Sequence, residues 1–174
     1  MPFFEKKAAA LEVILIRRLF VAPIHLHEQL EVAYCQEGEM DIMIDNRNHR
    51  LHAGDVAVIF PFLVHSYSIL NVASSGGILF IAHPSSFPAF AGMLTGSALA
   101  RPVFESSELS GVSHYALSTL CGLCENDICR DADLKVNAWL NLLLSEMHGQ
   151  FDLAPKVIAS RDLILKALVY IQSN

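Results

Sequence analysis

Three histidines and one glutamate have the types and spacing of a metal site: His25, His27, Glu31 and His65. In an extended strand, side chains two residues apart share a face about 6 to 7 Å apart, so His25 and His27 can converge on one ion. Glu31 follows in the same parity, and His65 lies in another predicted strand. Such a set suits a divalent ion with open positions, whether Zn, Ni, Fe or Mn. The alternative is a polar patch that hydrogen-bonds an organic ligand or itself.

Strand alternation also predicts which neighbours share the face of these ligands. Four residues have the parity of Glu31 or of His65 and are the candidate contacts of a small-molecule effector: Ala33, Cys35, Tyr67 and Ile69. Arg17 or Arg18 could add a positive charge for an anionic ligand. Successive residues face opposite ways, so only one of the two can point inward.

About seven short apolar stretches separated by turn signals occupy the chain up to His83. The first is a strand from Leu11 to Val21, which Pro23 should end. The others are Glu31 to Cys35, Met40 to Asp45, His49 to His52, Val56 to Phe60, His65 to Leu70 and Ile78 to His83. No helical pattern interrupts them, which argues against parallel βαβ units. The pattern predicts a sandwich or a small barrel.

Helical periodicity follows a loop-like segment from Pro84 to Pro102. One predicted helix has an apolar face made by Leu109, Val112, Ala116, Leu120 and Leu123. A second begins after Asp131 and ends near His148, with Gly149 as its stop signal. It is apolar nearly all round and therefore has two faces to bury. We expect its outer face to contact a second copy of the chain; the alternative is that the helix is enclosed within the monomer.

The last segment has Ser160 as a helix cap, with apolar residues at helical spacing up to Ile171. A terminal amphipathic helix indicates that the chain was cut from something longer. Four cysteines are present, and Cys121 and Cys124 form a C-x-x-C pair five residues before Cys129. Without a flanking strand or a second pair, this pattern favours buried free thiols over zinc or redox chemistry.

The length, composition and charge of the chain limit the classes of protein to which it can belong. The chain has 174 residues, of which 53% are hydrophobic and 17% charged. This length indicates one domain with a helical appendage, and the apolar excess indicates an interface or an enclosed pocket. The formal charge of −6 argues against nucleic-acid binding by this segment itself. No apolar run is long enough for a membrane span, and no signal-peptide cleavage site is evident, so we expect a cytoplasmic protein without membrane contact.

The segment between His25 and His65 resembles the two sequence motifs of the cupins. The first motif is similar to His25-x-His27, three residues, Glu31, six residues and Gly38. The second is similar to Gly54, six residues, Pro61, three residues and His65. Three positions depart from the usual pattern: Leu19 and Leu63 replace glycines, and Ile69 replaces an asparagine.

Within the cupins, the chain most resembles the N-terminal sensor domain of AraC-type transcription regulators. The similarity lies in the stretches 31–38, 53–61 and 64–67, and in the order of a barrel followed by helices. Residues 164–174 are similar to the linker and opening helix that lead into the family's DNA-binding repeats, and those repeats are absent here. A gene of this type should continue past Asn174 into a basic segment with two helix-turn-helix units.

The resemblance implies a mostly β fold with α-helices: a small cupin barrel, of the double-stranded β-helix or jelly-roll type, followed by helices. It divides the chain into a sensor barrel (1–104), a helical dimerisation segment (105–150) and a linker with the first helix of an absent DNA-binding domain (151–174). It implies a homodimer that binds a small effector, a sugar for example, and is not an enzyme. The alternative is a stand-alone metal-dependent cupin enzyme, an oxygenase or isomerase.

Overall fold

The computed structural model describes residues 3–17, 20–69, 76–125 and 132–155, with all of their side chains except those of Ile69, Glu125, Ala132 and Asp133. The strands in this part of the chain are β1 (Phe3–Phe4), β2 (Leu11–Ile16), β3 (Phe20–Leu26), β4 (Leu30–Glu37), β5 (Glu39–Ile44), β6 (Arg47–His52), β7 (Val56–Ile59), β8 (His65–Ile69), β9 (Gly76–Ala82), β10 (Ser97–Leu99), β11 (Val103–Phe104) and β12 (Leu153–Pro155). The α-helices are α1 (Ala91–Gly96), α2 (Gly111–Glu125) and α3 (Ala132–Met147).

Ten of these strands form two five-stranded sheets, with the orders β1-β3-β8-β5-β6 and β11-β7-β4-β9-β2. Neighbouring strands in both sheets are antiparallel except for the parallel pair β1 and β3. In β5, exposed Glu39 and Asp41 alternate with buried Met40, Ile42 and Ile44, which is the pattern of a strand with one face on the core. β9 is buried along its whole length, so both of its faces are covered.

The opening strand differs from the sequence prediction. The stretch expected as one strand from Leu11 to Val21 forms parts of β2 and β3, which belong to different sheets. Pro23 lies inside β3 and does not end it. The register between β3 and β8 shifts between Ala22 and His25, and such an irregularity tolerates a residue that cannot donate a backbone hydrogen bond. The prediction that Pro23 is a strand terminator was therefore wrong.

The two later predicted helices exist, and the segment before them is more ordered than expected. The supposed loop from Pro84 to Pro102 contains α1 and β10, and β10 pairs with β12 in a separate two-stranded sheet. The expected cap at Asp131, and the expected helix after Ser160, lie outside the described residues. No helix in the described ranges is long and apolar enough to cross a membrane.

A continuous core joins the sheets to the helices. It includes Phe60, Phe80 and Phe104 from the barrel side together with Leu120 and Leu144 from α2 and α3. The chain after α3 returns to the barrel, where the ring of Phe151 lies 5.6 Å from that of Phe104 and 6.1 Å from that of Phe60. The helices are thus packed on the barrel and leave one side of the pair exposed.

Gly77 allows β4, β5 and β9 to approach closely, and its replacement should destabilise the barrel. A Cβ atom at Gly77 would lie 2.7 Å from the backbone oxygen of Tyr34 and 2.5 Å from Met40 Sδ. We expect Gly77→Ala to lower the free energy of unfolding by about 1 to 3 kcal/mol, as overpacking of a core does. Gly92→Ala is the control, since a Cβ there meets nothing within 4 Å. Equal chemical-denaturation midpoints for the two variants would contradict this prediction.

Candidate metal centre

The structure brings the three predicted histidines together inside the barrel. His25 and His65 are directly opposite each other in the β3–β8 pair, and their ring centroids are 4.2 Å apart. The ring of His27 lies 4.9 Å from that of His65 and 5.6 Å from that of His25. One ligand atom from each ring lies within 4.8 Å of the other two, and all three residues are buried.

Backbone carbonyl groups orient two of these rings. His25 Nδ1 donates to the carbonyl oxygen of Pro23 at 2.8 Å, and His65 Nδ1 donates to that of Leu63 at 2.8 Å. A carbonyl oxygen can only accept, so each Nδ1 carries the proton and the Nε2 lone pair of each neutral ring remains available. This arrangement, in which one ring nitrogen is held and the other is left as a ligand, is usual for histidines that bind metals.

Glu31 reaches this cluster from β4 in the opposite sheet. Its Oε2 accepts from His27 Nε2 at 3.0 Å and lies 3.5 Å from His65 Nε2, and its Oε1 accepts from the hydroxyl of Tyr67. Glu31 is 1% exposed, so these partners supply the hydrogen bonds that water would make to an exposed carboxylate. Tyr67 was predicted as an effector contact. Its hydroxyl binds Oε1 of Glu31, which leaves Oε2 facing His27 and His65.

The protonation equilibria follow from burial and from these pairings. Complete burial alone would raise the pKa of Glu31, but the charge of His65 and the hydrogen bond from His27 hold it well below its ordinary value. Burial likewise acts to lower the pKa of His65, and the Glu31 carboxylate outweighs it, so that this pKa is raised. Burial, aided by His65, lowers the pKa of His25. Burial and the neighbouring Glu31 carboxylate raise the pKa of Tyr67.

The donor set fits a divalent metal ion. The buried nitrogen His65 Nε2, which faces Glu31, has no hydrogen-bond partner among the described residues. Ligand atoms that share one ion at about 2.1 Å lie about 3.0 to 3.5 Å apart, and Glu31 Oε2 has these distances to His27 and His65. A metal at this point would replace the proton between His27 Nε2 and Glu31 Oε2. His25, His27, Glu31 and His65 could therefore hold Zn, Ni, Fe or Mn.

A cavity of about 260 Å³ opens beside the cluster. His25, Glu31 and Tyr67 form part of its wall, and apolar side chains of β2, β3 and β9 form much of the rest: Ile14, Phe20, Val21, Leu79 and Ile81. The charged residues Glu5, Lys7 and Glu12 also line it. Its size is just below the range of about 300 to 1,000 Å³ typical of ligand sites, so it suits a small organic molecule.

The other predicted effector contacts lie elsewhere or outside the described atoms. Ala33 and Cys35 are fully buried, but neither lines the cavity. The Cys35 thiol contacts the carbonyl oxygens of Glu37 and Gly38, and burial raises its pKa to about 12. The backbone of Ile69 pairs with that of Phe20, while its side chain is not described.

Among the residues that the structure describes, no cysteine or arginine belongs to the histidine cluster or lines the cavity beside it. Cys35 and Cys121 are buried and Cys124 is half-buried, while Cys129 lies outside the described residues. Arg17 is exposed, and Arg18 lies outside the described residues.

Sequence reasoning missed the contribution of the N-terminus. Phe3 stacks on His25 with ring centroids 5.8 Å apart, and Glu5 Oε2 lies 3.5 Å from His25 Nε2. Lys7 Nζ pairs with Glu5 Oε1 at 3.1 Å and with Glu12 Oε2 at 3.0 Å. β1 has only two residues and pairs with a strand some twenty positions away. No local periodicity marks such a strand, so the sequence offered no signal for it.

Comparison with known families and structures supports the fold. The family model described as cupin domain matches residues 19–72. No protein with a curated description matches the chain significantly. Among solved structures, ToxT from Vibrio cholerae has a TM-score of 0.52 at 7% identity, covering 82% of this chain and 58% of ToxT. An apo ToxT variant from Vibrio cholerae strain SCE256 has a TM-score of 0.53 at 11% identity, covering 85% and 59%.

The chain thus spans less than two thirds of the length of ToxT, and at this identity the likeness concerns the fold. A cupin 2 conserved barrel domain protein from Salinispora arenicola is also similar, with a TM-score of 0.37 at 17% identity over 50% of this chain and 71% of that one. The matched segment and the two sheets define a cupin barrel followed by helices. The predicted fold class is therefore confirmed.

Proposed function

We propose that this chain is the effector-sensing and dimerisation domain of an AraC-type transcription regulator, and that it binds a small molecule inside the cupin barrel without catalysis. The observation that carries the proposal is the cavity beside His25, Glu31 and Tyr67, which combines a polar wall with an apolar one. The sequence similarity to this class of sensor supports it. DNA contact belongs to another part of the regulator, in keeping with the charge of −6 on this segment.

A divalent metal ion is part of the proposed site. His25, His27, Glu31 and His65 would hold it, and it would supply a positive charge that an oxygen-rich effector can bind through carboxylate, carbonyl or hydroxyl groups. The residues of this chain orient the effector around that charge. Phe20, Leu79 and Ile81 give its apolar part a dry surface, while Lys7 contacts the polar part.

The helices supply the proposed dimer contact. Large apolar side chains on the outer side of α2 and α3 are exposed: Val112, Tyr115, Leu134 and Leu142. Tyr115 packs edge-on against Trp139 at 5.6 Å and joins the exposed parts of the two helices into one surface. Exposed apolar patches of this kind mark protein interfaces. This exposed apolar surface is the proposed contact for a second copy.

A thermal-shift screen of sugars, aromatic acids and short peptides tests the sensor. A bound compound at 100 times its Kd should stabilise the folded chain by about 2.7 kcal/mol, which corresponds to a rise in Tm of about 5 to 11 °C for a chain of this size. Leu79→Trp, which fills the cavity, should abolish the shift, whereas Ile24→Trp on the exposed side of β3 should leave it intact. Stabilisation that persists in Leu79→Trp would contradict binding at this cavity.

A metal-dependent enzyme is the second candidate, because a cluster of three histidines beside a carboxylate, with the rings of His25 and His65 held through Nδ1, also suits metal catalysis. A turnover assay distinguishes the enzyme from the sensor. A metal-loaded protein that converts added oxygenase or isomerase substrates would favour the enzyme. A protein that binds an effector reversibly and returns it unchanged would favour the sensor.

A further inference from the structure

We infer that Glu5 is a fifth protein ligand of the metal ion held by His25, His27, Glu31 and His65, so that the ion fastens β1 to the barrel. This inference rests on the proposed metal site. Glu31 pairs with His27 and His65, whereas Glu5 pairs with His25. The two carboxylates therefore approach different members of the same histidine cluster.

The contact between Glu5 and His25 has the separation that shared coordination requires. Glu5 Oε2 lies 3.5 Å from His25 Nε2, the same separation as between Glu31 Oε2 and His65 Nε2. Two ligands at about 2.1 Å from one ion are that far apart when the angle between them is near tetrahedral. His25 Nδ1 already carries a proton for Pro23, so the neutral ring presents a lone pair to Glu5. Two lone-pair donors that face each other require a proton or a cation between them.

The backbone fixes Glu5 in this place. β1 pairs with β3 so that Phe3 lies opposite His25, and the amide of Glu5 donates to the carbonyl oxygen of Leu26 at 2.8 Å. Lys7 Nζ binds the other carboxylate oxygen of Glu5, which leaves Oε2 directed to His25. Lys7 itself is held by Glu12. The carboxylate is therefore positioned on both sides before any ion binds.

A second carboxylate changes which ion the site prefers. Imidazole ligands suit Zn and Ni, whereas carboxylates suit harder ions such as Mn²⁺. Three histidines with two carboxylates should bind Mn²⁺ better than three histidines with one. The contribution of Glu5 should thus be larger for Mn²⁺ than for Ni²⁺.

Titration calorimetry with Mn²⁺ and Ni²⁺ on Glu5→Gln, Glu12→Gln and His65→Ala tests this inference. Both glutamine variants remove one carboxylate from Lys7, but only Glu5 contacts His25. We expect Glu5→Gln to weaken Mn²⁺ binding at least tenfold, and Ni²⁺ binding less, while Glu12→Gln stays near wild type. In wild type and in Glu12→Gln, added Mn²⁺ should also slow hydrogen exchange at the Glu5 amide.

The outcomes separate the metal site from the role of Glu5. If His65→Ala abolishes binding while Glu5→Gln and Glu12→Gln behave alike, the metal site stands and the fifth ligand is overturned. If wild type binds neither ion, the metal site and the fifth ligand both fall. The effector screen on metal-free protein then still decides whether the barrel is a sensor.

Discussion

Replacing Glu31 with alanine should lower the free energy of unfolding by about 3 to 5 kcal/mol in metal-free protein. The carboxylate accepts from His27 and Tyr67 and lies beside His65, and all four side chains are buried. Removal of one partner from a buried charged network leaves the others unpaired, which costs far more than the loss of a surface ion pair. Since whole domains are stable by about 5 to 15 kcal/mol, much of the stability would be lost.

Urea denaturation in the presence of a chelator measures this effect free of any contribution from metal. Glu28→Ala is the matched control: Glu28 is exposed, three positions earlier in the same segment, and its replacement should change stability by about 0.5 kcal/mol or less. A Glu31→Ala protein as stable as Glu28→Ala would mean that the buried network contributes nothing to folding.

The pH dependence of this difference has a definite sign. The pKa of Glu31 in the folded chain is depressed below the ordinary value near 4.5. A depressed acid pKa stabilises the fold above the unfolded value, and that contribution is lost as the pH falls through the folded one. The stability gap between wild type and Glu31→Ala should therefore be largest above about pH 4.5, with respect to this group, and shrink in more acidic solution.

The second large effect is expected on association: Leu134→Glu should convert the proposed dimer to a monomer. Leu134 is 76% exposed, so the substitution costs the monomer little, and a negative charge is favourable in the first turn of α3. At a self-associating surface, each copy would bury an unpaired charge next to the other. Burying such a charge costs about 2 to 5 kcal/mol, which raises the dimer Kd about 30-fold or more.

Sedimentation velocity over a range of concentrations tests this expectation against a subunit mass of 19.2 kDa. Ile24→Glu is the control, because Ile24 is also an exposed apolar residue, 42% accessible, but lies on the barrel. We expect the wild type and Ile24→Glu to sediment as dimers. A wild type that remains monomeric, or a Leu134→Glu dimer of undiminished strength, would contradict a contact through the helices.

The strands from β4 to β9 could be predicted from the sequence because each has a local signal: a short apolar run or an alternating pattern, bounded by turn residues. Alternation placed β5 within one residue of its observed bounds. The turn lies at Asp45 and Asn46, which both have positive φ, so β6 begins at Arg47 and not at His49 as predicted. Pro23 misled the prediction because its effect depends on the register irregularity next to it, which only the pairing with β8 reveals. β1 escaped detection because its two residues are held by pairing rather than by pattern.

Some features of the candidate site could likewise be predicted from the sequence, and others could not. Strand parity was enough to place His25 and His27 together, and the spacing to Glu31 and His65 added the rest of the cluster. Parity did not reveal that Tyr67 binds Glu31, or that the cavity lies toward Phe20 and away from Cys35. Those features depend on how the two sheets face each other across the barrel, and no single strand carries that information.

The carbonyl groups of Pro23 and Leu63 have a thermodynamic consequence for binding. Freezing a free side chain on association costs about 0.5 to 1.5 kcal/mol in lost rotational entropy. For His25 and His65, that ordering has already occurred during folding, because each ring is held through Nδ1 before a ligand arrives. The saving for two rings is about 1 to 3 kcal/mol, or roughly 5- to 150-fold in affinity. Because folding already orders both rings, the binding free energy of a ligand at this site is not reduced by the cost of ordering them.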